Sequence, residues 1–220
     1  MNKNDLTIIA LIILIASITA WNSRYSLIPA PTGYTWFTKH GVSFLYPDYL
    51  DPWEVAINDD GTTTQGGSRM ISFDWGYAGW NSGNTDVERP EREGYFWESS
   101  LLWLSTDPPT GDGATPHMFY AAMEANAVAR NREQNMTLGE TGVTTHRGHD
   151  VRYQYHNCSI RDYGAEHSHV VYGIVGAFYC PQSGRTMELY YLDIYDFDPV
   201  YDRESLFDSF RFYLDSVHCH

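Results

Sequence analysis

Two long β-forming runs near the C-terminus constrain the fold most: "HVVYGIVGAFYC" (His169–Cys180) and "TMELYYLDIY" (Thr186–Tyr195). They are rich in β-branched and aromatic residues, which fit a pleated, half-buried surface. The connection between them is built around "PQSG", and a Pro/Gly link that short turns a chain back on itself. The two runs are therefore neighbouring antiparallel strands. "VRYQYHN" (Val151–Asn157) precedes them as a third strand.

Upstream, the same logic yields "YTWFT" (Tyr34–Thr38) and "VSFLYP" (Val42–Pro47), with "KHG" between them. "WEVAI" (Trp53–Ile57) leads into the turn signal "NDDG", and "RMISFDW" (Arg69–Trp75) follows as a strand. A Gly/Asn-rich loop is expected from Gly76 to Glu93, then the strand "YFWESSLLWLS" (Tyr95–Ser105). Two helices interrupt the strands. The first is expected to start with Thr115 as N-cap and Pro116 at the first helical position, placing Phe119, Ala122, Met123 and Ala127 on one face. The second starts at Asp202, with Leu206, Phe210, Tyr213, Leu214 and Val217 along a stripe. Strands, a helix, strands and a helix predict an α+β fold: a mainly antiparallel sheet flanked by helices, an α/β/α sandwich. The 220 residues, 15% aromatic and with 17 Tyr, suit one packed domain.

The N-terminus differs from the rest. "LTIIALIILIASITAW" (Leu6–Trp21) carries no charge. As a helix its length is about 24 Å, between a signal peptide's apolar region and a membrane span. The expected organisation is a signal-anchor or signal peptide at 1–24, a Pro/Gly-containing linker at 25–33 and a domain at 34–220. The N-terminal helix would hold the protein in the membrane as a single-pass anchor, with the domain outside the cytoplasm. Cleavage would instead give a secreted protein. The formal net charge of −14 disfavours a phosphate backbone, so nucleic acid is not an expected partner.

The sequence contains no nucleophile elbow, P-loop, metalloprotease or dinucleotide motif, so neither a catalytic residue nor a cofactor is expected. Histidine supplies the metal candidates: His146 with His149 in "HRGH", and His167 with His169 in "EHSH". The tail "VHCH" adds His218 and His220 around Cys219. The acidic stretch "DIYDFDPVYDRE" lacks the ordered spacing of a calcium loop. Asn135 and Asn157 begin the N-glycosylation patterns "NMT" and "NCS".

Strand order decides among the three cysteines. If Val151–Asn157 runs from a near to a far edge, the next strand returns and leaves Cys180 at the near edge. Thr186–Tyr195 then runs far, and a helix packed antiparallel to it carries Cys219 back. Cys158 is left at the far edge. A disulfide needs Cα atoms within about 7 Å, so the expected bond is Cys180–Cys219, with Cys158 free.

Several segments together resemble the PsbP-like/Mog-type α/β sandwich family. "KHGVSFLYPDYLDPWEV" is similar to its opening Gly-x-Ser-Phe-x-Tyr-Pro strand and the following Trp-led strand. "HRGHDVRYQY" resembles its Gly-plus-strand segment after the first helix, and "RTMELYYLDI … SLFDSFRF" its last strand and closing helix. The likeness runs over residues 34–213. It implies a non-enzymatic binding or accessory scaffold with a protein partner, and it brings no catalytic residue. A metal-binding protein or metal-dependent enzyme using the histidine pairs is the alternative.

Overall fold

The computed structural model describes residues 28–50, 52–58, 64–65, 68–69, 74–81, 95–109, 113–162, 168–195 and 201–219. In chain order the elements are β1 (Tyr34–Lys39), β2 (Val42–Pro47), β3 (Trp53–Asn58), β4 (Thr64–Gln65), β5 (Ser68–Arg69), β6 (Asp74–Asn81) and β7 (Tyr95–Ser105). Helix α1 (Met118–Ala129) follows, then β8 (Arg132–His146), β9 (His149–Asp162), β10 (His169–Cys180), β11 (Arg185–Tyr195) and helix α2 (Arg203–Ser216). Seven strands form one sheet in the order β3-β6-β7-β11-β10-β9-β8, every pairing antiparallel. The β1–β2 hairpin is separate and packs beside α2.

Alternation along the central strands makes three layers. On β10, Ile174, Phe178 and Cys180 join one core, whereas Val171 and Val175 join another. On β11, Met187, Leu189 and Tyr191 divide from Tyr190, Leu192 and Ile194 in the same way. A side-chain period of two puts these sets on opposite faces. Leu206, Phe210, Tyr213 and Leu214 of α2 cover the first face with the hairpin, and Phe119 of α1 covers the second. This is the α+β architecture expected, a helix on each side of an antiparallel sheet.

Three local expectations are corrected. Strand β6 runs Asp74–Asn81, so the segment from Gly76 read as loop begins as strand; residues 82–94 lie outside the described set. Of the expected strand "RMISFDW", Arg69 lies in β5 and Asp74 and Trp75 in β6, while residues 70–73 lie outside the described set. Helix α1 begins at Met118, not after a Thr115 cap, and its N-cap residue His117 makes no side-chain capping bond. Its N-terminus is instead satisfied from the sheet: Glu188 Oε1 accepts from His117 N at 2.8 Å and Met118 N at 2.9 Å, and Oε2 accepts from Phe119 N at 2.8 Å. A carboxylate suits the positive end of the helix, and Glu188, with 0% exposure, gives up water for those bonds.

The third correction is β8, a strand not expected from the sequence. Asn131, with φ 52°, ends the turn after α1, and the chain then runs as the outermost strand, paired only with β9. By contrast, α2 starts as expected, Asp202 accepting from Glu204 N at 3.1 Å and Ser205 N at 3.2 Å. The apolar segment at 1–24 lies outside the described residues. Among the described residues no helix is long and apolar enough to cross a membrane.

Candidate functional site

Three turns and the C-terminal tail meet at one end of the sheet. In the β8–β9 turn, Arg147 (φ 49°) and Gly148 (φ 82°) are both left-handed, the geometry of a two-residue hairpin that follows strand twist. His146 and His149 are thereby paired across the turn. Both rings pack on Phe178 of β10, with centroids 5.8 and 5.4 Å away. In the β10–β11 turn, Gly184 N donates to Cys180 O at 2.9 Å, and the Cys180 sulfur lies within 4.8 Å of a ring nitrogen of His149 at the β8–β9 turn. The β1–β2 turn is held by Arg185 Nη1, which donates to His40 O at 2.7 Å.

The tail after α2 closes this end. Ser43 and His218 form an isolated antiparallel bridge, with N–H···O distances of 2.9 and 2.8 Å. Ser216 Oγ accepts from Leu45 N at 3.0 Å and donates to Tyr213 O at 2.7 Å. One residue past the bridge, Cys219 is joined to Cys180 by a disulfide with Cα atoms 6.4 Å apart. Cys158 is free and buried in the opposite core, and burial pushes its thiol up to about 11.

The histidines here have separate duties. His146 Nε2 donates to Val217 O at 2.8 Å, while its Nδ1 lies 3.7 Å from Asp215 Oδ1. Burial, against the help of that carbonyl and of Asp215, holds its pKa below the ordinary value. His218 Nε2 accepts from Arg147 Nη2 at 3.0 Å, and its ring meets Trp36 edge-on at 5.6 Å. His146 Nε2 thus carries the proton it gives to Val217 O, and the lone pair of His218 Nε2 is taken by a guanidinium. Among the described residues, His149 is the histidine grouped with the sulfurs: a ring nitrogen of His149 and the Sγ atoms of Cys180 and Cys219 all lie within 4.8 Å of one another.

Of the second expected histidine pair, the described member is elsewhere. His169 opens β10 opposite Ile160, eleven residues along the strand from Cys180, or about 36 Å. His167 and His220 lie outside the described residues. The glycosylation candidates Asn135 and Asn157 are exposed and sit on adjacent strands. Asn135 pairs with Ser159, and Thr137 with Asn157, so each acceptor faces the hydroxyl of the other pattern.

A second polar cluster, unexpected from the sequence, lies under α1. His156 is 3% exposed and neither ring nitrogen has a hydrogen-bond partner. Its ring packs against Phe119 and Tyr120 with centroids 5.4 and 5.6 Å away. Burial alone drives its pKa down to about 4, so it is neutral at pH 7. Gly173 makes room for it: a Cβ there would collide with the imidazole and with Leu192. Glu188 and the buried Tyr120 hydroxyl, raised by burial and by Glu188, complete the group. Its only sequence signals were an isolated His and an isolated Glu within apolar strands.

No protein-family model matches the chain, and no curated protein matches it. Among solved structures it is similar to the solution structure of cyanobacterial PsbP (CyanoP) from Synechocystis sp. PCC 6803. The two share 13% identity over 89% of this chain and 99% of that one, with a TM-score of 0.42. The likeness is distant, and the architecture described above rests on this chain's own strand order.

Proposed function

We propose that this protein is an accessory or interaction domain that works outside the cytoplasm, tethered to the membrane by its N-terminal apolar segment. The observation that carries this reading is the Cys180–Cys219 disulfide. Such bonds persist where the compartment is oxidising and are rare where thiols are kept reduced. Here the bond fastens the C-terminus to the sheet, a structural use. The sequence resemblance to PsbP-like proteins supports the accessory role.

The exposed edge strand β8 supports a protein partner. It is 15 residues long, and Leu138 and Val143 on it are 52% and 59% exposed. A strand edge of that kind offers unpaired backbone groups to an added chain. The register shift between Leu138 and Thr141 interrupts the edge, as bulges do where uncontrolled pairing is avoided.

The reading is tested by protease accessibility in intact cells, followed by cross-linking and capture from detergent-solubilised membranes. The expected result is a membrane-associated chain, cut only from the outer side, with a reproducible stoichiometric partner. A soluble cytoplasmic monomer would overturn it.

A further inference from the structure

At the clasp, one imidazole faces two sulfurs, and the chemistry of that trio depends on whether the sulfurs are bonded to each other. We propose that, with the Cys180–Cys219 bond open, His149, Cys180 and Cys219 form a metal site for a thiophilic ion of the Zn2+ class. Opening is a two-electron exchange with an external dithiol. The protein S–S bond breaks, the reductant's S–S bond forms, and its two protons pass to Cys180 and Cys219. Metal binding then releases those two protons as the thiols become thiolate ligands, and His149 contributes a neutral ring nitrogen.

Geometry favours this site. The three donor atoms already lie within 4.8 Å of one another. Zn–S bonds of about 2.3 Å in a tetrahedron place two sulfurs about 3.8 Å apart. Separating two bonded sulfurs to that distance is a side-chain movement, and Cα atoms 6.4 Å apart accommodate it. Gln182 Oε1 lies 3.5 Å from the Cys180 sulfur, and the fourth position is left to water or to that oxygen.

Charge and ligand type favour it too. Cys180 and Cys219 are 0% and 3% exposed, and a lone buried thiolate would be costly there. Two thiolates with one divalent cation are neutral. Soft sulfur donors select Zn2+ over Mg2+ or Ca2+. His146 and His218 stay out, because their bonds to Val217 O and from Arg147 hold the tail in register. Oxidation removes both thiolates at once, so the site switches completely between clasp and metal centre.

The test is Co2+ and Zn2+ titration of the full chain carrying Cys158→Ser, oxidised and after reduction with a phosphine. It needs neither partner nor compartment, so its failure leaves the accessory reading standing, and the reverse holds. The oxidised protein is expected to bind no ion at this site. The reduced protein should take up one Co2+, giving the visible bands of a tetrahedral ion and a near-ultraviolet thiolate-to-cobalt band, both erased by Zn2+. His149→Ala, which keeps the disulfide, should weaken binding by about tenfold or more. A folded, reduced chain that binds no Co2+ would overturn the proposal. So would equal binding by the oxidised form, or an unchanged spectrum and affinity in His149→Ala. If reduction unfolds the chain, Zn2+ is expected to restore its near-ultraviolet circular dichroism, and failure to do so is equally fatal.

Discussion

Glu188 joins the two halves of the fold, and removing it is a sharp test of how α1 is held. Its carboxylate accepts three backbone N–H groups at 2.8, 2.9 and 2.8 Å, from a position 0% exposed. In Glu188→Ala the helix loses its cap, which costs about 1–2 kcal/mol. Phe119, 3% exposed, keeps a buried N–H with no acceptor, at about 1–3 kcal/mol. Because exposed His117 can bond water instead, we expect a total near 3 kcal/mol. In a domain of this size that lowers Tm by about 6–12 °C. Glu188→Gln keeps one acceptor oxygen but loses the charge, and should cost about half as much. Urea unfolding supplies the free energies, and hydrogen exchange at residues 117–119 localises the loss. If both variants stay within about 0.5 kcal/mol of the parent, with those amides still protected, the capping argument is wrong.

Three further outcomes follow from the same structure. His156 is held near pKa 4 against an ordinary 6.5, so the unfolded chain takes up its proton first as pH falls. Stability from this residue is therefore complete above about pH 6.5 and declines through the window down to about 4, by about 3 kcal/mol. Urea midpoints between pH 7 and 4 should show a slope that His156→Leu reduces by that amount; equal slopes would refute it. Gly173→Ala drives a methyl group into the His156 ring and is expected to cost about 1–3 kcal/mol in thermal or urea unfolding. Cys219→Ser opens a 39-residue separation, for which chain entropy gives about 4 kcal/mol of lost stability, measurable against the oxidised parent.

The parts legible in the sequence were those whose signals are local or follow from chain direction. Helix α2 declared itself through Asp202 and its apolar stripe, and hairpin reversals fixed which strand ends meet. That is why Cys180 and Cys219 could be placed together without any contact information. Helix α1 started later than expected because its cap comes from Glu188, about seventy residues onward, and no local pattern of Thr115 and Pro116 carries that. Strand β8 was missed because an outer strand has little to bury: between Glu133 and Thr145 none of its side chains is fully buried, so "REQNMTLGETGVTTH" reads as polar connection. The "HRGH" pair was visible as spacing, but not its division of labour. Only the position of Val217 O shows that His146 is a structural donor while His149 faces the sulfurs.

The covalent clasp at the histidine end of the sheet is the central claim, and counting thiols tests it most directly. Protein taken from its native host, blocked at once with an alkylating agent under denaturing conditions, should show one modified cysteine of three, Cys158. Peptide mapping should recover Cys180 linked to Cys219. Three modified cysteines, or a linkage through Cys158, would contradict the account.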